Sequence, residues 1–446
     1  MRESWLTVDL RNVPKLLFLI ILLFYSLFDF LVYESSGAKF EYLFGAFCLV
    51  LLTLRLFCQY RKNVNIVIPH YILFLAAFII YTSLTGIFVS DLFIEKGAFK
   101  YFYSNSFIMM MTSFLFIENT YFPRKWIDGA INILGLVLIV SAIVSVIQVF
   151  EPLFLMKDRS VIEGLSYDRL LEYYDKNPEE KSGSVSRLFQ GYRFSIYSHV
   201  SAISVGIDGL AIYSLLFALK SKKTMKTSLW VFAAALVSFL SSSRWIMLNF
   251  LLISSQKIWT KNNRILNFTK YFLFGILLLI ILVFLLEFFG INFRQFVEER
   301  LADDSASTRL LALEVFSKVF PEHPFLGTGG VSTEEVQQLL AGRSSQIHVG
   351  YLKLFYYHGL IGGILYLTFL FSFLKRMWKM SKISNYWGGF FAILAFAVAN
   401  LTLVEFSLFY HGLLLALVFT NHFYHERTKN IFSVPHRESS IRHTIT

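Results

Sequence analysis

Apolar runs long enough to cross a bilayer recur along nearly the whole chain, separated by polar stretches of very unequal length. The pattern predicts an all-α, polytopic integral membrane protein with about twelve transmembrane helices. They fall near 14–33, 40–58, 67–89, 102–119, 128–150, 195–219, 227–242, 244–259, 269–290, 350–374, 387–404 and 406–424. Only Ser241, Ser242, Ser243 and Arg244 separate the seventh from the eighth. Two connections are far longer than neighbouring helices require, Glu151–Arg193 and Gly290–Gly350. The chain therefore divides into N-terminal membrane helices (1–150), a first large loop (151–193), central helices (194–289), a second large loop (290–350), C-terminal helices (351–424) and a basic tail (425–446).

Composition agrees with that class: 56% of residues are hydrophobic, 18% are aromatic and 16% are charged. The first apolar run is long enough to remain as an anchor rather than be removed as a signal peptide. A net charge of +11 could mean nucleic acid in a soluble protein. Here its distribution argues against that. Arg2, Arg11 and Lys15 precede the first helix, and Arg61 and Lys62 follow the second. Arg124 and Lys125 follow the fourth, Lys220, Lys222, Lys223 and Lys226 the sixth, and Lys375, Arg376, Lys379 and Lys382 the tenth. Every second connection is basic, which by the positive-inside rule makes those connections and both termini cytoplasmic. The two large loops lack this excess, with 8 acidic against 7 basic residues in the first and 8 against 5 in the second, and are expected outside. Cys48 and Cys58 both lie in the second helix, so no disulfide framework orders the loops.

The second loop reads as two short helices around a glycine turn. Ser307 is a candidate N-cap for a helix over 308–320, with Leu310, Leu313, Phe316, Val319 and Phe320 as its apolar stripe. Pro321 and Pro324 end it, and Gly327, Gly329 and Gly330 turn the chain. A second helix is expected from Ser332, with Glu335 completing a capping box, to about Gly342. The result is an amphipathic hairpin on the outer surface. The glycine turn has no preceding strand and no lysine, so it is not a nucleotide-binding loop.

Three residues carry the strongest chemistry. Arg244, between two apolar runs, is costly without a partner; three serines and a helix N-terminus beside it suit an anion. A snorkelling interfacial arginine is the bland alternative. Arg309 opens a helix, where a cation gains nothing from the helix dipole, so it either pairs with Asp303, Asp304 or Glu314 or grips phosphate oxygens. His348 stands at the loop-to-membrane junction, as an interfacial polar residue or as a base for a hydroxyl. Arg187, Arg193 and Arg343 are secondary anion contacts, whereas His358, Gly359 and Gly362 suggest close helix packing. His199 lies at the first turns of the sixth helix, and Asp208, Glu405 and His411 admit either a structural or a relay role. No His, Cys, Asp or Glu pattern has the spacing of a metal site.

In order along the chain, SSSRW, STRLLALEVFSKVFPEHPFLGTGG and HVGYLKLFYYHGLIGG resemble the O-antigen polymerase and O-antigen ligase superfamily of bacterial surface-polysaccharide assembly. The resemblance is strong over about Ser241–Leu367; Val349 stands where that family usually has asparagine after the histidine. It implies a GT-C-like membrane enzyme of the bacterial inner membrane, a metal-independent, inverting glycosyltransferase without cofactor. Its donor would be a glycan on undecaprenyl diphosphate, with Arg244 and Arg309 as the essential arginines and His348 as the base. Membrane lipid, a chain-length regulator and a flippase of the same pathway are the implied partners; nucleic acid is not. Polymerase is favoured over ligase, and a lipid-linked oligosaccharide flippase is the alternative from another class, although no convincing internal repeat is present and the candidate residues cluster at the outer face.

Overall fold

The computed structural model describes residues 13–24, 28, 40–61, 66–90, 106–150, 225–240, 250–253, 305–340, 347, 349–401 and 411–432. Within them the regular elements are all helical: α1 (Val13–Leu23), α2 (Phe40–Arg61), α3 (His70–Phe88), α4 (Ser106–Glu118), α5 (Arg124–Phe150), α6 (Met225–Leu240), α7 (Ser305–Val319), α8 (Glu334–Leu340), α9 (Gly350–Ser384), α10 (Gly388–Ala399) and α11 (His411–Phe432). A single 3-10 turn, Phe320–Glu322, follows α7.

Three described helices are long and apolar enough to cross a membrane: His70–Phe88, Arg124–Ile147 and Gly350–Ser384. Shorter apolar helices accompany them at Val13–Leu23, Leu43–Phe57, Phe107–Glu118, Met225–Ser238 and Gly388–Val398. Among the limits that differ from those expected, α11 runs on to Phe432 rather than ending near 424. The α5 helix starts at Arg124 because Pro123 accepts the first helical bonds from Trp126 and Ile127. The α9 helix runs to Ser384, carrying its basic end beyond the apolar run, and Asn385 terminates it in the left-handed conformation.

The α9 helix is the centre of the bundle, packing on α3, α10, α11 and the loop helix α7. Its apolar residues split into two faces. Tyr366, Phe369 and Phe373 are buried against Tyr71, Phe78 and Phe114, while Ile361, Ile364, Phe371 and Trp378 stay exposed. On a helix of spanning length, such an outward apolar stripe faces lipid. Small residues allow close approach elsewhere: Gly45 of α2 faces Met109 of α4, and Gly135 of α5 faces the Trp230 ring of α6.

One end of this bundle is held by charge. Arg376 Nη2 lies 3.0 Å from Glu118 Oε2, and the Tyr71 hydroxyl donates to Glu118 Oε1 at 3.0 Å. Glu118 is nearly inaccessible, so its charge needs both partners. Next to it, Asn119 pairs with both the N–H and the carbonyl of Val67, and Arg55 Nε donates to the Asn119 carbonyl. These contacts tie α2, α3, α4 and α9 at the end that carries Arg124, Lys125, Lys379 and Lys382. The opposite end of α3 carries the site.

Candidate functional site at the break in helix α9

The α9 helix is not continuous. Gly359 has φ 62 and ψ −171, dividing it into 350–358 and 360–384. A break inside an apolar helix frees amides and carbonyls that lipid cannot satisfy. Each set finds its partner in the loop.

The Pro324–Gly330 turn lies directly against the break. Leu360 N–H donates to Pro324 O at 2.8 Å and Ile361 N–H to Phe325 O at 3.3 Å, which caps the second half-helix. In return, Thr328 N–H donates to Tyr356 O and Gly330 N–H to Tyr357 O, each at 3.2 Å, which caps the first. The two backbones are so close that side chains are excluded. A Cβ on Gly359 would collide with the Phe325 carbonyl, and one on Gly327 would stand 2.5 Å from Gly359 N. Both glycines also hold positive φ, which L side chains adopt at a cost. The PFLGTGG and HGLIGG segments are therefore two halves of one joint. Close helix packing, expected for these glycines, accounts for Gly362, beside Tyr81 of α3; Gly359 instead breaks its helix.

The loop helices pack as a second small core above this joint. Leu311, Ala312, Val315 and Val319 of α7 join Val336, Leu340, Ile347 and Tyr356, with Phe316, Leu352 and Val349 at the margin. The Tyr356 hydroxyl lies 2.9 Å from Thr333 Oγ1 and accepts the Thr333 N–H at 3.0 Å, linking the first half of α9 to the start of α8.

Three expectations for the hairpin need correction. The α7 helix begins at Ser305, so Ser307 lies inside it rather than capping it. Its buried face is Leu311, Ala312, Val315 and Val319; Leu310 and Leu313 point outward, 70% and 55% exposed. The face that meets α8 and Tyr356 is rotated from the expected stripe. The α8 helix is capped by Thr333, whose Oγ1 accepts the Val336 N–H at 3.4 Å, because Tyr356 fixes Thr333 in place. The box from Ser332 to Glu335 is thereby one residue out of register.

Of the candidate site residues, Arg309 is described. It lies half-buried on the second turn of α7, with Leu313 and Phe316 on the same side of the helix. Arg187, Arg193, Arg244, Arg343 and His348 lie outside the described residues. The residues flanking His348, Ile347 and Val349, belong to the same cluster as α7. Asp208, His199 and Glu405 also lie outside.

The sequence reading missed one contributor altogether, the end of α3. The Tyr81 hydroxyl donates to His358 O at 2.9 Å and lies 3.3 Å from both Phe325 O and Leu326 O. Ser90 Oγ donates to Gly329 O at 3.1 Å. The only signal was a modest polar cluster, Tyr81, Thr82, Ser83 and Thr85, at the end of an apolar helix. His358 itself is buried, its ring edge-on to Phe78 at 5.4 Å, and serves the aromatic core.

A loop that interlocks with a broken helix just where the PFLGTGG and HGLIGG segments meet is a joint, and it brings the arginine-bearing helix to the membrane domain. Residues 227–367 match the family model described as O-antigen ligase. That segment belongs to the O-antigen polymerase and ligase superfamily. The match starts in α6, includes α7, α8 and the whole joint, and ends in the second half of α9. The match and the apolar helices point to a membrane protein, and the match supports a polymerase- or ligase-type function. No curated protein matches the chain.

Proposed function

We propose that this protein is a polysaccharide polymerase that transfers a glycan from undecaprenyl diphosphate to the acceptor sugar of another lipid-linked repeat unit. The observation that carries the reading is the joint at Gly359, where both motif segments of the superfamily match close on each other. The reaction takes place at the outer face of the inner membrane, opposite the basic end that holds Arg376, Lys379 and Lys382.

The leaving group is a diphosphate, so negative charge grows there in the transition state. Fixed cations that are ready before reaction stabilise it most. Arg309 on α7 and Arg244 supply that charge, and the planar guanidinium fits phosphate oxygens in a way an ammonium does not. His348 takes the proton of the acceptor hydroxyl as its oxygen attacks the anomeric carbon opposite the diphosphate. One C–O bond forms as the other breaks, and the configuration inverts. Arg187, Arg193 and Arg343 hold the diphosphate or acidic sugars.

Ligation to a lipid A core differs only in acceptor. The glycan profile of a deletion strain distinguishes the two. Single repeat units on lipid A core are expected from a lost polymerase; bare core with accumulated lipid-linked polymer would mean a ligase. An unchanged profile would overturn both.

A further inference from the structure

We propose that Tyr81, outside the segment matched by the family model, is a positioning residue of the transfer site, its hydroxyl pinning the first half of α9 at the Pro324–Gly330 turn while its ring packs on Gly362 of the second half. This rests on the proposed transfer reaction for its consequence, but its geometry stands alone.

The break at Gly359 leaves His358 O as the last carbonyl of the first half-helix, and the loop does not reach it. Tyr81 does, donating its proton at 2.9 Å. Tyr81 thus holds the half-helix before the break through its hydroxyl and meets the one after it through its ring at Gly362. Its ring fits only because residue 362 has no side chain: a Cβ there would stand 2.7 Å from Tyr81 Cε1. Phe325 O and Leu326 O lie 3.3 Å from the hydroxyl, as further acceptors within reach of its single proton, so the turn adjoins the same bond.

Ser90 adds a second tie from the same helix. Its Oγ donates to Gly329 O, and a Cβ on Gly329 would stand 2.9 Å from Thr85 O. The α3 helix therefore forms a wall of the joint. Its position passes to the reacting region along a short path. The turn continues back through Phe320–Glu322 into α7 and Arg309, while the first half of α9 carries Tyr356, which holds Thr333. A loosened joint would let the arginine-bearing helix drift from the membrane domain, and misplacement by an ångström is enough to slow a positioned reaction.

The test is Tyr81→Phe, which keeps the ring against Gly362 and removes only the hydroxyl. Hydrogen exchange of the full chain in lipid nanodiscs reads the joint directly. Exchange at the amides of Thr328, Gly330, Leu360 and Ile361 should accelerate about tenfold, the size of one lost hydrogen bond. Tyr71→Phe, which removes a hydroxyl from the other end of α3, should leave those four amides slow. With a polyprenyl-diphosphate-linked oligosaccharide as donor, Tyr81→Phe should lower kcat about tenfold or more while KM stays within twofold. Unchanged exchange would show that the hydroxyl holds nothing and would overturn the proposal. Faster exchange with wild-type kcat would overturn the positioning role. If the wild-type protein transfers no glycan under these conditions, the transfer reading fails instead, and exchange alone decides whether Tyr81 is the pin.

Discussion

Tyr81 and His358 are 277 positions apart in the chain, yet the hydroxyl of one caps the backbone carbonyl of the other at 2.9 Å. That bond closes a helix break where a glycine-rich turn pairs the Leu360 and Ile361 amides and the Tyr356 and Tyr357 carbonyls. The joint has measurable consequences.

Gly359→Ala should be among the most damaging single changes in the chain. Alanine at φ 62 costs about 1–3 kcal/mol by itself, and its Cβ would also strike the Phe325 carbonyl. Thermal unfolding in detergent should show a clearly lower Tm, and glycan transfer should be lost. Gly129→Ala, on α5 with open space at its Cβ, is the control and should be neutral or slightly stabilising. Equal effects at both positions would rule out the steric account of the joint.

Tyr356→Phe removes the hydroxyl that holds both the N–H and the Oγ1 of Thr333. The cost should be about 1–2 kcal/mol, confined to the loop hairpin. Limited proteolysis between Gly330 and Glu334 is the measurement. Cleavage there should quicken severalfold while the bundle stays resistant; an unchanged rate would mean that α8 is held by packing alone.

Glu118→Ala leaves Arg376 and Tyr71 without their shared carboxylate at the far end of the bundle. Breaking a buried pair on one side costs about 3–5 kcal/mol, so this variant should unfold at a distinctly lower temperature. Arg376 retains some contact with solvent and with the Tyr424 ring, which places the effect towards the lower figure. The double variant Glu118→Leu with Arg376→Leu should recover much of the loss, which a double-mutant cycle reads directly.

Arg309→Ala should abolish long-chain polysaccharide at normal protein level, and Arg309→Lys should not restore it, because the ammonium lacks the planar fork. His348→Ala should stop transfer while lipid-linked donor still binds. Near-normal chain lengths in either variant, read on a gel of cell-surface glycan, would remove that residue from the mechanism.

Sidedness is checked by cysteine labelling. Gln337→Cys, exposed on α8, should react with an impermeant maleimide added from outside, and Lys382→Cys, at the basic end of α9, should not. The background carries Cys58→Ser, since Cys48 is buried. Reaction at Lys382→Cys with protection at Gln337→Cys would invert the topology.

Hydrophobic run length and charge alternation were enough to read the helical membrane class, and the motif order was enough to read the superfamily. Both are local properties: twenty apolar residues select lipid wherever they lie, and a Gly-rich segment announces a turn by itself. The hairpin shows where local reading stops. Leu310 and Leu313 satisfy helical spacing as well as Leu311 and Val315 do, and only the position of Tyr356 and α8 decides which pair is covered. Likewise Ser332 and Thr333 are equivalent caps until Tyr356 fixes one of them.

By itself, then, the chain determined that its apolar segments would be helices of membrane-spanning character and that a polar segment with Arg309 would separate two of them. Only the tertiary structure decided that Gly359 breaks a helix, that Phe325 and Thr328 supply the missing partners, and that Tyr81 completes them. The reason is physical. Burial preference is a property of each segment, but a freed backbone amide or carbonyl in an apolar setting must be paired by whatever the fold brings to it, and that partner can come from anywhere in the chain.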